Sequence, residues 1–238
     1  MSPASNLPVV PFYEHGYLAH DLRRGSVSNR FGTKMCMMPG ELMFALKQVL
    51  EEETGPEWHR ILLRVGRIWG RRVARRFQAD LSTFFGRPLQ EMPMREFIPI
   101  LEGYFRYHGW GRLTLDLSEA ETGFVFARLE NSAFAEAVGV ANAPVDAIVC
   151  GLLGEFLCQI SERTDIDCVE TECVAMGRPQ CMFIIGLESR LQTVRNMLEQ
   201  GHGHEEIVTR ICPAREKRIN DADTQEAGRN AFAAKLSR

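Results

Sequence analysis

Apolar residues fall at positions 42, 43, 46, 49 and 50 and stop before Thr54-Gly-Pro, a helical period that predicts a first helix opening at Gly40. From Glu57 a longer apolar face runs through Trp58, Ile61, Leu62, Val65, Ile68, Trp69, Val73 and Phe77, predicting a helix that ends near Phe85. Gly86-Arg-Pro and Met92-Pro frame a loop. Residues 94 to 107 then carry a third helix, kinked at Pro99 and broken by Gly109-Trp-Gly. The period changes to two over residues 112 to 117 and again over 123 to 129, which gives two strands joined by a short loop. Val145 to Ile160 is too long an apolar run for a typical strand, so a fourth helix is placed at 144–161, with Pro144 in its first turn. Its Gly151 and Gly154 leave room for a close neighbour.

A second pair of strands follows. Cys168, Glu170 and Glu172 alternate with Val169 and Thr171, Gly177-Arg-Pro-Gln supplies turn residues, and Cys181-Met-Phe-Ile-Ile returns as an apolar run. Leu187 to Gln200 completes the body as an amphipathic helix stopped by Gly201. The fold class is therefore α/β of the α+β kind, helices packed on a small antiparallel sheet. Residues 1–39 lack periodicity and read as an arm, 40–212 as the domain, and 213–238 as a polar, flexible tail. Tyr13, His15, Tyr17 and His20 make the arm richer in aromatics than a linker, so it either docks on the body or a partner or stays disordered.

The second hairpin also carries the candidate chemistry. It brings Glu170, Cys173 and Cys181 around one turn, three ligands for a zinc-like ion. The C-x7-C spacing is looser than that of a zinc knuckle, and two small core thiols are the competing reading. Along the second helix lie Arg60, Arg64, Arg67, Arg71 and Arg75, either a solvated, salt-bridged face or a stripe for an acidic partner. His202 and His204, in a Gly-rich helix stop, read as a solvated cap.

Composition narrows the function. With 45% apolar and 25% charged residues the chain of 238 can bury a sizeable core, and a net charge of −3 gives no general reason to expect nucleic acid as a partner. No stretch reaches the ~18 apolar residues of a membrane span, and no signal-peptide pattern opens the chain. The seven cysteines, an odd set, suit a reduced, cytoplasmic setting better than a disulfide framework.

The element order, together with Glu170-x-x-Cys173-x-Ala175-x-Gly177-x-x-x-Cys181-x-Phe183, resembles the 4-vinyl-reductase-like domain over residues 40 to 200. The resemblance implies the fold shared by TRAPP vesicle-tethering subunits and phenol-sensor domains, and extends to stand-alone members in cyanobacteria. In the sensor domains the matching Glu and two Cys bind zinc with a further Cys five residues before a Gly. Here Asp146 stands at that place, five before Gly151, so the implied structural-zinc set is Asp146, Glu170, Cys173 and Cys181. Cys150 is the substitute ligand should Asp146 not serve.

The resemblance further implies an apolar pocket between helices and sheet, for which Trp69, Phe97, Tyr104, Phe105, Tyr107, His108 and Trp110 are the candidate lining. No G-x-G-x-x-G, G-x-S-x-G or Walker loop is present, nor the Tyr-x-Ser-x-Arg of haem-binding nitric-oxide sensors, and a direct transcription-activator role with its DNA-binding and ATPase domains is not expected. The expectation is a non-enzymatic module that binds a tetrapyrrole or other small apolar ligand and acts through partner proteins. It would be a homodimer and an assembly or biosynthesis factor for the photosynthetic apparatus, meeting an acidic partner or a membrane-associated complex at the periphery of a photosynthetic membrane. The alternatives are an enzyme or subunit of (bacterio)chlorophyll 4-vinyl reduction, and a structural subunit of a larger complex.

Overall fold

A computed structural model describes residues 11–13 and 16–213. The first described residues are not a simple extended arm. Strands β1 (Leu18–Asp21), β2 (Ser26–Asn29) and β3 (Lys34–Met35) form a small antiparallel sheet. Ahead of it Phe12, Tyr13 and Tyr17 are buried in the main core. The Tyr13 ring covers Gly103, where a Cβ would lie 2.7 Å from it, and its hydroxyl donates to the Ile100 carbonyl at 2.8 Å. Burying these aromatics supplies the apolar area that short strands cannot supply for themselves. The expected tail, apart from Pro213, lies outside the described residues.

Helix α1 (Gly40–Thr54) forms where its period requires but buries none of its residues, and Leu42, Phe44, Leu46 and Val49 are exposed. Helix α2 (Trp58–Phe85) buries Trp58, Leu62, Val73 and Phe77, while Val65 and Ile68 of the same apolar series face solvent. Glycines explain the difference. A Cβ on Gly66 would sit 2.3 Å from the Ile148 carbonyl oxygen, one on Gly70 2.8 Å from Leu152 Cα, and one on Gly151 2.3 Å from the Leu63 carbonyl oxygen. The face of α2 turned to its main helical neighbour is thus glycine, and the backbones meet there directly. Helix α3 (Met94–Tyr107) runs through Pro99 and buries Phe97, Leu101, Tyr104 and Phe105.

Strands β4 (Arg112–Asp116) and β5 (Phe124–Glu130) pair as expected. After them comes a short helix, α4 (Ala133–Val138), that the hydrophobic pattern does not announce; its signal is the capping Ser132, whose Oγ accepts from the Ala135 amide at 3.2 Å. Then follow α5 (Ala147–Ser161), β6 (Ile166–Glu172), β7 (Cys181–Leu187), α6 (Glu188–Glu199) and α7 (His204–Ile211). The main sheet is antiparallel throughout, in the order β4-β5-β7-β6.

Both faces of that sheet are covered. Val125, Ala127, Phe183 and Ile185 point into the large core with α2, α3 and α5, whereas Phe124, Phe126 and Ile184 pack with Leu191, Val194 and Met197 of α6 and Ile207 and Val208 of α7. Central β7 is therefore a continuous apolar run rather than an alternating one. Helix α7 overturns the reading of His202 and His204 as one solvated cap. His204 is buried, sharing a 2.7 Å hydrogen bond with Thr171 Oγ1, while His202 Nδ1 lies 2.8 Å from Glu206. Among the described residues no helix is long and apolar enough to cross a membrane.

Candidate metal centre

Asp146, Glu170, Cys173 and Cys181 converge. Each offers one ligand atom, the four atoms lie within 4.8 Å of one another, and all four residues are buried. Asp146 is the residue before α5, Glu170 lies on β6, Cys173 follows β6, and Cys181 opens β7. The turn places the two sulfurs 3.7 Å apart. A tetrahedral ion with the bond lengths usual for zinc holds neighbouring ligand atoms about 3.3 to 3.8 Å apart, so the thiol pair already has that spacing.

Each carboxylate is held by one oxygen, with the Cys181 thiol beside Asp146 and the Cys173 thiol beside Glu170. Asp146 Oδ1 accepts from Ser132 Oγ at 2.9 Å, and Glu170 Oε2 accepts from the Asp146 amide at 2.8 Å. Asp146 Oδ2 and Glu170 Oε1 are buried with no hydrogen bond among the described residues. Two such oxygens beside two thiols are costly without a cation and are what a cation would bind. The residues present therefore fit a divalent ion of the zinc class. Ser132 orients a ligand from outside the set; sequence reasoning missed it because it came with the unannounced α4.

The electrostatics agree. Burial raises the Asp146 carboxyl to about 6, and burial together with the neighbouring Asp146 charge raises Glu170. The thiols split: Cys173 falls to about 5, chiefly through its hydrogen bond with Cys181, which is raised by the same contact and by burial. Four acids in one buried space cannot all ionise, so protons do part of what a cation would do. Cys150 stands outside the four-residue group and interacts with the Cys168 thiol instead.

The candidate aromatics are only partly gathered. Trp69 meets Trp110 with ring centroids 4.8 Å apart, and Tyr104, Phe105 and His108 surround Trp110 at 5.1 to 5.4 Å. Phe97 reaches this group through Phe77, and Tyr107 turns away to stack on Tyr13 at 4.5 Å. His108 Nδ1 donates to the Tyr104 carbonyl at 2.7 Å, and burial lowers its pKa, so the imidazole is neutral near pH 7. The Tyr104 hydroxyl accepts from Arg76 at 3.1 Å.

Much of the arginine stripe is engaged within its own chain. Arg67 binds the buried Asp167 at 2.7 Å, Arg71 binds Glu155 at 2.8 Å, and Arg60 binds Glu57 at 2.7 Å. Arg64 and Arg75 are exposed and have no ion pair among the described residues. The salt-bridged reading thus holds for three of the five, and Asp167, also held by Arg195, ties α2 and α6 to strand β6.

No protein-family model and no curated protein matches the chain. Solved structures do. The phenol-responsive sensory domain of the transcription activator PoxR, solved with phenol, superimposes with a TM-score of 0.61 at 20% identity, over 77% of this chain and 90% of that one. A vinyl-4-reductase family protein from Methanocaldococcus jannaschii matches at 16% identity and TM-score 0.43, over 64% and 83% of the two chains. A trafficking protein particle complex subunit 3 from Naegleria fowleri, covalently bound to palmitic acid, matches at 13% and 0.46, over 62% and 94%. The PoxR superposition shows a shared α+β fold, helices on a small antiparallel sheet.

Proposed function

We propose that the chain is a non-catalytic, small-molecule-binding module, braced by a structural divalent ion of the zinc class, that acts through partner proteins. The observation that carries the reading is the closed donor set. Asp146, Glu170, Cys173 and Cys181 supply four protein ligands, all buried, whereas a catalytic zinc keeps a position open for water or substrate. Such an ion pins the start of α5 to the β6–β7 turn and thereby fixes the inner core. The fold shared with a phenol-responsive sensory domain supports ligand binding as the module's task.

The ligand we propose is a planar apolar molecule held by Trp69, Tyr104, Phe105 and Trp110, with His108 Nε2 as a hydrogen-bond acceptor for it. A tetrapyrrole is the largest member of that class and would have to part Tyr104 from Trp110, now 5.4 Å apart. Metal analysis and an absorption spectrum of protein from its native host test both parts. The expected result is about one metal ion per chain and a ligand whose release restores tryptophan fluorescence, with the Trp110→Ala variant losing the ligand and keeping the metal. Protein that carries neither, or turnover of a vinyl substrate by protein supplied with a reductant, overturns the reading.

The partner we favour first is a second copy. Helix α1 buries nothing while Leu42, Leu46 and Val49 stay exposed, and Val65 and Ile68 of α2 add to the uncovered apolar surface. The acidic run Glu51-Glu-Glu on α1 and Arg64 and Arg75 on α2, which have no ion pair among the described residues, give charge complementarity for a two-fold pairing. Light scattering should give twice the chain mass for the wild type and the monomer mass for Leu46→Glu/Ile68→Glu. A monomeric wild type at every accessible concentration rejects the dimer.

A further inference from the structure

At the end of the sheet opposite the metal cluster lies a cavity of about 300 Å³. Strand β6 begins there with Ile166 opposite Leu187 and ends seven residues on near Cys173, so the two places are roughly 20 Å apart along the strands. The floor is apolar: Val125, Leu157, Ile166 and Ile185 come from the inner face of the sheet and from α5. Two guanidinium groups stand at its rim, Arg163 from the turn after α5 and Arg190 from the first turn of α6, with the Glu121 carboxylate also lining the cavity.

The two arginines differ in what they already hold. Arg163 grips Asp165 with two hydrogen bonds of 2.7 and 2.6 Å, so its charge is met. Arg190 donates to the backbone carbonyl of Thr122, a neutral acceptor, and has no carboxylate partner among the described residues. It is nonetheless held in place. Its guanidinium lies 6.0 Å from the Phe124 ring centroid, and Gly123 makes room for it, since a Cβ there would be 2.9 Å from Nη1. A positioned guanidinium with spare N–H donors, set over an apolar floor, is built for an anion that carries an apolar body.

We propose that this cavity binds a small amphiphilic monocarboxylate, its carboxylate on Arg190 and its hydrocarbon part against Val125, Leu157 and Ile185. The site is separate from the aromatic group around Trp110, and neither the metal nor that group is needed for it. A body of about ten non-hydrogen atoms suits the volume, which is at the small end of ligand pockets.

Octanoate is the probe and octanamide, of the same length and uncharged, its control. Titration followed by amide chemical shifts should show saturable octanoate binding with shifts at Gly123, Ile185 and Arg190. Octanamide should bind about fivefold more weakly, the upper end of what an exposed ion pair contributes. Arg190→Met, at an exposed position, should fold normally and bring octanoate down to the octanamide level; Ala120→Leu, which fills the cavity, should weaken both. The proposal is overturned by octanamide binding as well as octanoate, by an unchanged affinity in Arg190→Met, or by no saturation up to about 10 mM, where any real site of this size should respond. A protein that lost its metal or its aromatic ligand in the earlier tests but still bound octanoate here would separate this inference from the functional reading.

Discussion

Gly151→Ala is expected to lower the melting temperature of this protein by about 10 °C, and combined with Gly66→Ala to prevent folding. The reason is that the obstacle is backbone. A Cβ on Gly151 would lie 2.3 Å from the Leu63 carbonyl oxygen and 2.6 Å from the Arg67 amide nitrogen, and one on Gly66 2.3 Å from the Ile148 carbonyl oxygen. No side-chain rotation relieves either overlap, so α2 and α5 must move apart. Their separation would loosen the Arg71–Glu155 pair and the packing of Phe77 on Phe156, whose centroids are 5.6 Å apart. Overpacking of this kind costs about 3 kcal/mol, and a domain of this size loses roughly 2 to 4 °C per kcal/mol. Gly203→Ala is the control, because a Cβ there meets nothing within 4 Å. Calorimetry that finds Gly151→Ala as stable as Gly203→Ala would show that the helices are not in backbone contact.

These glycines also mark where sequence stops being legible. Periodicity places α1, α2, α3, α5 and both hairpins of the main sheet to within a few residues, because each buries a face with a definite repeat. It cannot say which part of a wide apolar arc is used. Val65 and Ile68 look as buried as Leu62 in the pattern, and only the presence of α5 against Gly66 and Gly70 turns them outward. Short elements escape for a related reason. Helices α4 and α7 are six and eight residues long, too short to establish a period, and β1 to β3 are shorter still. The four candidate ligands are readable, three from the hairpin and Asp146 from the resemblance. Ser132, which orients Asp146, is not, because a lone serine says nothing until the helix it caps is known.

On the proposed metal reading, Cys173→Ser/Cys181→Ser is expected to give a metal-free protein whose melting temperature falls by about 10 °C or more, since binding at a structural site of this class is coupled to folding. The pH dependence distinguishes this from the loss of two core thiols. With metal bound, all four ligands are ionised in the folded state, while the unfolded chain protonates both thiols below their ordinary pKa of about 8.5. The unfolded state then holds two more protons, so stability rises with pH by about 2.7 kcal/mol per pH unit between about 5 and 8 at fixed free metal. Without metal the signs compete. Cys173, depressed to about 5, contributes stability that grows with pH from there up to its unfolded value. Asp146, raised to about 6, and Glu170, also raised, hold protons that the unfolded chain has released, and so subtract stability as pH rises. The metal-free protein should therefore lose stability or stay level across the window in which the metal-loaded protein gains it. Denaturant titrations at several pH values, with added zinc and with a chelator, measure both slopes. Parallel slopes in the two conditions would mean that the buried acids never meet a cation and that Cys173 and Cys181 are only part of the core.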